Sequence, residues 1–282
     1  MGISITPHST TTHRLSAYGT EHVFHHFSVF RTPEEFAELL AWAQKQKKQV
    51  YILGNGTNTC YVRRNIQSLV LKNSLPCSLK DLGNDRYEIS SAMQVHEVLE
   101  YCRSHSLASF YYLASVPATI GGALAMNAGR GREQHLSIYD FVESVTMLSN
   151  GSVITKCRED MKIEYRKTMF TGVQPQLILH AVFRFPAASL PGDPIAERIE
   201  EAVRYCDYSG PNCGSVFQAY NGYIMRCLRG VRIGGARYSP TRTNWITNHS
   251  RGSRGIVWLI GLAKILHKLL GQRIVLEQVC VR

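Results

Sequence analysis

Apolar residues recur at helical spacing over residues 33–47, where Phe36, Leu39, Leu40 and Ala43 share one face. Pro33, Glu34 and Glu35 open this stretch and lysines close it, the order that the helix dipole favours. The pattern predicts a helix there. It is followed by a β-rich run, Val50 to Leu53, a glycine loop, Gly54-Asn55-Gly56-Thr57-Asn58, and a strand from Ile66 to Leu71. A strand at 86–92 precedes an amphipathic helix at 95–105 with Val98, Leu99 and Cys102 on one side. Alternation over 141–148, the turn signal Asn150-Gly151 and then Val153-Ile154 predict a hairpin, and 176–185 reads as a further strand. The proline-rich stretch 186–194 interrupts periodicity as a linker would. Beyond it, helices are expected at 195–205 and 252–270. The second directs Ile256, Leu259, Ile260, Ala263, Leu266 and Leu270 inward and Lys264, His267 and Lys268 outward, with Gly271 ending it. An apolar strand at 274–279 holds one carboxylate, Glu277.

At 282 residues and 44% hydrophobic content the chain can bury a sizeable core and is not a disordered sequence. Its charge of +11 changes the picture more. Basic residues are dense at Arg226, Arg229, Arg232, Arg237, Arg242, Arg251 and Arg254, without a polybasic tail or a nucleic-acid motif. That density reads first as a solvated face, then as a funnel for an anionic substrate, and only third as a nucleic-acid surface. The eight cysteines show no Cys-x-x-Cys spacing, so they are expected to be buried free thiols of a reducing compartment. No segment resembles a signal peptide or reaches membrane-spanning length, so the chain is expected in the cytoplasm with no membrane partner. The histidines, including His180 and the pair His25-His26, have no ligand spacing, so no metal is expected.

The candidate chemistry lies in loops. Pro117-Ala118-Thr119-Ile120-Gly121-Gly122 joins a fixed φ and a hydroxyl to two glycines, a segment whose backbone donors suit a phosphate or the polar rim of a flat cofactor. Alone, a glycine pair between apolar runs is equally a turn. The 54–58 loop lacks the Gly-x-Gly-x-x-Gly spacing and a following helix, which argues against a Rossmann fingerprint.

Taken in order, the 54–58 loop, Val116 to Gly122 with Met126-Asn127-Ala128-Gly129, Tyr165-Arg166, Gly214-Ser215-Val216-Phe217, Arg232-Ile233-Gly234-Gly235-Ala236 and Glu277 resemble the motifs of the UDP-N-acetylenolpyruvoylglucosamine reductase (MurB) family. The resemblance runs from about Thr11 to Val279. It implies an α+β chain: a two-lobed FAD-binding domain of the vanillyl-alcohol-oxidase type over 1–75 and 76–190, a C-terminal α+β substrate-binding domain over 191–272, and a strand at 273–282 returning to the flavin site. It implies FAD as cofactor and NADPH as co-substrate in reducing UDP-N-acetylglucosamine enolpyruvate to UDP-N-acetylmuramate for peptidoglycan. Gly54, Asn55, Gly56, Thr57 and Asn58, the stretch Val116, Pro117, Ala118, Thr119, Ile120, Gly121, Gly122, and Asn127 would line the cofactor. Ser215 matches the proton donor, Arg166 the cation that balances the enolate, and Glu277 the acid beside it. Tyr165, Gln218, Arg242 and Asn244 would contact the nucleotide sugar.

The departures concern substrate more than cofactor. Gln218-Ala219-Tyr220 stands where the family has Lys-Asn-Pro, and Arg242 where it has histidine. Ser115 and Ala118 replace glycines, and the stretch Arg130 to His135 is longer than usual. These changes keep two other readings open: a reductase of the same fold acting on another nucleotide sugar, and a basic binding protein without catalysis. No nucleic-acid partner is expected, and the sequence leaves the oligomeric state open.

Overall fold

The structure is a computed structural model and describes residues 6–131 and 134–282, so Arg132 and Glu133 of the lengthened stretch lie outside the described residues. It is a mixed α and β chain with six α-helices among the described residues: α1 (Pro33–Lys45), α2 (Val95–Ser104), α3 (Ile120–Ala125), α4 (Pro194–Tyr205), α5 (Gly222–Cys227) and α6 (Arg254–Leu269). The chain forms two compact units that interleave in sequence. The first takes Ser28–Gly54 and Leu69–Ala202, and the second His8–Phe27, Asn55–Ser68 and Val203–Arg282.

The first unit has two apolar clusters. In one, α1 starts where the Thr32 hydroxyl accepts the Glu35 N–H, and it lays Phe36, Leu39, Leu40 and Ala43 on Phe30, Leu69 and Leu71. Strand Val50–Leu53 runs parallel to the end of Asn65–Asn73 beside them. The other cluster is covered by a five-stranded antiparallel sheet in the order Ser152–Cys157, Val142–Ser149, Leu177–Arg184, Arg86–Ser90, Leu79–Gly83. Its hairpin turns at Asn150 (φ 49°) and Gly151 (φ 78°), as the residue pair demands. Against the sheet pack Val98, Leu99 and Cys102 of α2 and Ile120, Ala123 and Leu124 of α3. His180 is less isolated than its spacing suggested: its Nδ1 lies 3.3 Å from a Glu88 carboxylate oxygen across the sheet.

In the second unit α6 covers a meander of Arg232–Ile233, Ala236–Tyr238 and Ile246–Asn248. Its core joins Ile256, Leu259, Ile260 and Ala263 to Val216, Phe217, Ile246 and Tyr238. Two expectations for α6 are corrected. His267 points inward and is fully buried, where Nδ1–H donates to the Ala263 carbonyl at 2.8 Å and Nε2 accepts the Asn221 N–H at 2.9 Å, whereas Leu270 is 61% exposed. The apolar run at 274–279 is not one strand either. Val275–Leu276 pairs antiparallel with Phe217–Ala219, Glu277 and Gln278 break the run, and Val279–Val281 pairs parallel with Thr59–Tyr61. Gln278 breaks it because its buried amide turns to Tyr18 Oη and the Cys213 carbonyl. All eight cysteines are free thiols, but Cys77, Cys157 and Cys227 are exposed, since a residue on a polar loop or helix end has no core to enter.

Replacing His267 by alanine removes a filled core volume and leaves the Asn221 N–H without its acceptor. The expected cost is about 2–4 kcal/mol, read as a lower urea midpoint at unchanged m-value.

Candidate functional site

The first unit builds one cluster from Gly54, the 116–122 segment and Arg166. Strand Val50–Leu53 delivers Gly54 against Thr119, where a Cβ on Gly54 would stand 2.7 Å from the Thr119 hydroxyl. Only glycine allows that approach. Lys72, opposite Leu53 in the parallel pair, donates from Nζ to the Gly54 carbonyl at 2.5 Å, and burial holds its ammonium below the usual pKa. Sequence reading passed over Lys72; the signal was a lysine immediately after the apolar run that ends at Leu71.

The 116–122 segment does not behave as a row of exposed donors, and the expectation is corrected. The N–H groups of Val116, Ala118, Ile120 and Gly121 donate to the carbonyls of Leu113, Val116, Met93 and Ser91, all at 2.8 Å, and Gly122 N–H donates to the Thr119 hydroxyl at 3.1 Å. Backbone amides entering a protein interior must be paired, and here local turns and the Ser91–Met93 segment before α2 pair them. The exception is Thr119. It is 3% exposed, bridges to Gln94, and its own N–H donates to no group among the described residues.

Arg166 has φ 56° and reaches back to the turn after α3, where its two terminal nitrogens donate to the carbonyls of Asn127 (3.1 Å) and Gly129 (2.6 Å). Its guanidinium lies 5.1 Å from the Tyr165 ring centroid, a cation–π distance. Asn127 (φ 43°) is a joint in this turn: its amide donates to the Glu164 carbonyl at 2.8 Å and accepts from the Ser137 hydroxyl. Thr168 and Thr171, both unnoticed in the sequence, donate to the Ala125 carbonyl and close the turn from the other side. Backbone carbonyls thus fix two nitrogens of the guanidinium in position.

The second unit holds the rest of the 54–58 loop together with Ser215 and Glu277. Gly56 has φ 70°, and a Cβ there would overlap the Leu15 carbonyl oxygen. The N–H groups of Thr57 and Asn58 donate to no group among the described residues, while Asn58 is tied to the chain end through Nδ2 to the Glu277 carbonyl (3.1 Å) and its own carbonyl to Val279 N–H (2.9 Å). Ser215 is half-buried and bridges to Trp245. The next residues are held on both sides. Val216 N–H donates to the Asn244 carbonyl at 3.0 Å and Val216 carbonyl accepts Glu277 N–H at 2.9 Å. The Asn244 amide is engaged at both ends by Phe217, accepting its N–H at 2.9 Å and donating to its carbonyl at 2.8 Å. Asn244 itself has φ 67°, a conformation asparagine tolerates.

This frame places the serine and the glutamate on adjoining segments. Cys213, two residues earlier, does not compete with the hydroxyl as a nucleophile: it is buried, its thiol donates to the Thr59 carbonyl at 3.5 Å, and burial pushes its pKa to about 12. Gln218 is half-buried on the strand after Ser215, and Arg242 is exposed, its N–H accepted by the Ser239 hydroxyl at 2.8 Å. Gly54, Val116–Gly122, Asn127, Tyr165 and Arg166 thus belong to the first unit, and Asn55–Asn58, Ser215, Gln218, Arg242, Asn244 and Glu277 to the second.

In the second unit the unclaimed amides of Thr57 and Asn58, following the tight turn at Gly56, suit a phosphate, because oriented N–H groups bind anions without a charged side chain. No group of His, Cys, Asp and Glu among the described residues could hold a metal ion.

Known proteins agree with this chemistry. Residues 26–158 match the FAD binding domain family. UDP-N-acetylenolpyruvoylglucosamine reductase of Geotalea uraniireducens is 27% identical over 88% of this chain and 83% of its own length, and that of Chlamydia felis is 25% identical over 94% and 90%. The crystal structure of the Thermus caldophilus enzyme of that name, MurB, superposes with a TM-score of 0.75 at 19% identity, covering 97% of this chain and all of its own. Over most of its length the chain is similar to the UDP-N-acetylenolpyruvoylglucosamine reductases, and it shares the fold of the Thermus caldophilus enzyme.

Proposed function

We propose that this protein is an FAD-dependent oxidoreductase that uses NADPH to reduce UDP-N-acetylglucosamine enolpyruvate to UDP-N-acetylmuramate, a cytoplasmic step of peptidoglycan precursor synthesis. The observation that carries the reading is the bond from Glu277 N–H to the Val216 carbonyl, which sets an acid beside the segment of the serine in a chain similar to these reductases. FAD, when bound, supplies the two-electron chemistry that NADPH replenishes. The backbone N–H groups of Thr57 and Asn58 would hold its pyrophosphate.

The chain's own work is the proton. Reducing the enolpyruvyl double bond leaves an enolate whose charge spreads onto the carboxylate, and the carbon beside that carboxylate must take a proton. The Ser215 hydroxyl donates it. A serine is a poor acid in water, so the step depends on a dry site and on neighbours that stabilise the charge that develops. Arg166 supplies the cation and Glu277 orients the hydroxyl. Tyr165, Gln218 and Arg242 contact the nucleotide sugar, and Asn244 acts on Ser215 by positioning the Val216–Phe217 backbone. One observation favours a different sugar as a second reading: Gln218-Ala219-Tyr220 offers no charge to a diphosphate where the family pattern has lysine.

The purified protein is expected to be yellow, with a flavin absorption spectrum that NADPH bleaches under anaerobic conditions. Addition of the enolpyruvyl substrate then restores the colour; flavin that stays reduced selects the second reading, and a colourless protein that takes up no flavin overturns both. In Ser215→Ala, reduction by NADPH stays within about twofold of wild type while reoxidation by substrate slows by about 10²- to 10⁴-fold, and Glu277→Gln falls in the same half-reaction. Equal loss in both half-reactions assigns these residues a structural role instead. Asn244→Ala strands the Phe217 backbone pair; it is expected to cost about 1–3 kcal/mol in thermal unfolding and to slow the reoxidation step more than the reduction step.

A further inference from the structure

Helix α6 is apolar on two sides. One side, Ile256, Leu259, Ile260 and Ala263, enters the core of the second unit. On the other, Trp258, Ile265 and Leu269 are 67%, 56% and 75% exposed, and the half-buried Leu262 completes the row. At about 100° per residue these four positions fall in a band roughly 60° wide, on the side turned away from the core. Arg254 lies in line with that band, and Lys264 and Lys268 run along one edge; all three are exposed.

The stretch of sequence that carries the helix has charge of one sign. Between Asp207 and Glu277 lie 69 residues with no Asp or Glu and ten Lys and Arg. A continuous apolar stripe bordered only by cations is the pattern of a helix that lies in the interface of an anionic bilayer. A second copy of this chain would bring cation against cation along the same face. A nucleic acid would complement the charge but leave the stripe in water.

We propose that this face of α6 docks the protein on an anionic lipid surface, with Trp258, Leu262, Ile265 and Leu269 entering the boundary between headgroups and acyl chains and Arg254, Lys264 and Lys268 meeting lipid phosphates. The helix lies on the surface and does not span it, since no helix among the described residues is long and apolar enough to cross a membrane. This revises the reading of the basic density as a solvated face and the expectation of no membrane partner.

The test is co-sedimentation of the full chain with vesicles of phosphatidylcholine alone and of phosphatidylcholine containing one-third phosphatidylglycerol. Binding to the anionic vesicles is expected to be at least about tenfold tighter, to weaken with added salt, and to fall about tenfold in the double variant Trp258→Ser, Leu269→Ser. Lys264→Gln with Lys268→Gln is expected to lose binding to anionic vesicles only. These side chains are exposed, so an unchanged unfolding temperature accompanies the loss. No binding to anionic vesicles overturns the proposal. So does full binding by the Trp258/Leu269 variant, a dimer that shields Trp258 before lipid is added, or capture by polyglutamate with none by vesicles. Flavin binding and turnover are unaffected by these substitutions, so either proposal fails without the other.

Discussion

The second unit depends on one carbonyl, that of Val216, which accepts the Glu277 N–H. Around it the chain end is secured twice more, by Asn58 on the Glu277 carbonyl and by Val279–Val281 alongside Thr59–Tyr61. Each of these bonds ends on a backbone group of the chain's last segment, so each fixes a position as well as contributing to stability. A hydroxyl that must lose a proton in a defined direction needs that fixity. A surface loop carrying the same Gly-Ser-Val-Phe sequence would not provide it, because proton transfer falls off steeply with misplacement.

In the first unit the comparable device is the turn after α3. Arg166 is held by the carbonyls of Asn127 and Gly129, with Asn127 itself held by Glu164 and Ser137. Carbonyl dipoles set the direction in which the guanidinium points. The Tyr165 ring adds a flat face on which the guanidinium rests.

The sequence made the regular parts legible wherever one side of an element was apolar. α1, α2, the Asn150-Gly151 hairpin and α4 begin and end within a few residues of where their periodicity and turn signals put them. In α6 the spacing put Ile256, Leu259, Ile260 and Ala263 correctly in the core, but it failed at Leu270, which lies past the last helical residue. His267 was misassigned because a histidine reads as polar until Ala263 and Asn221 supply a partner for each ring nitrogen. The chain-end strand was read as continuous because a buried glutamine is invisible to a hydrophobic pattern. Among the functional residues, the motif glycines and Ser215 stood out, whereas Lys72 and Thr168 act through backbone carbonyls, and Ser137 through the Asn127 side chain, that only the fold brings near. The loop at 116–122 shows the limit from the other direction. Its glycines signalled close approach correctly, but what approaches Gly121 is Ser91 of the same protein.

Strand Thr59–Tyr61 has Val279–Val281 as its parallel neighbour, with more than two hundred residues synthesised between them. On the ribosome the earlier segment emerges long before its mate exists, so it must wait, unpaired, while the intervening residues are translated. Its side chains Cys60 and Tyr61 are the kind that aggregate or recruit chaperones when left uncovered. A substitution in Val279–Val281 that breaks this pairing would therefore damage a region encoded more than two hundred codons upstream.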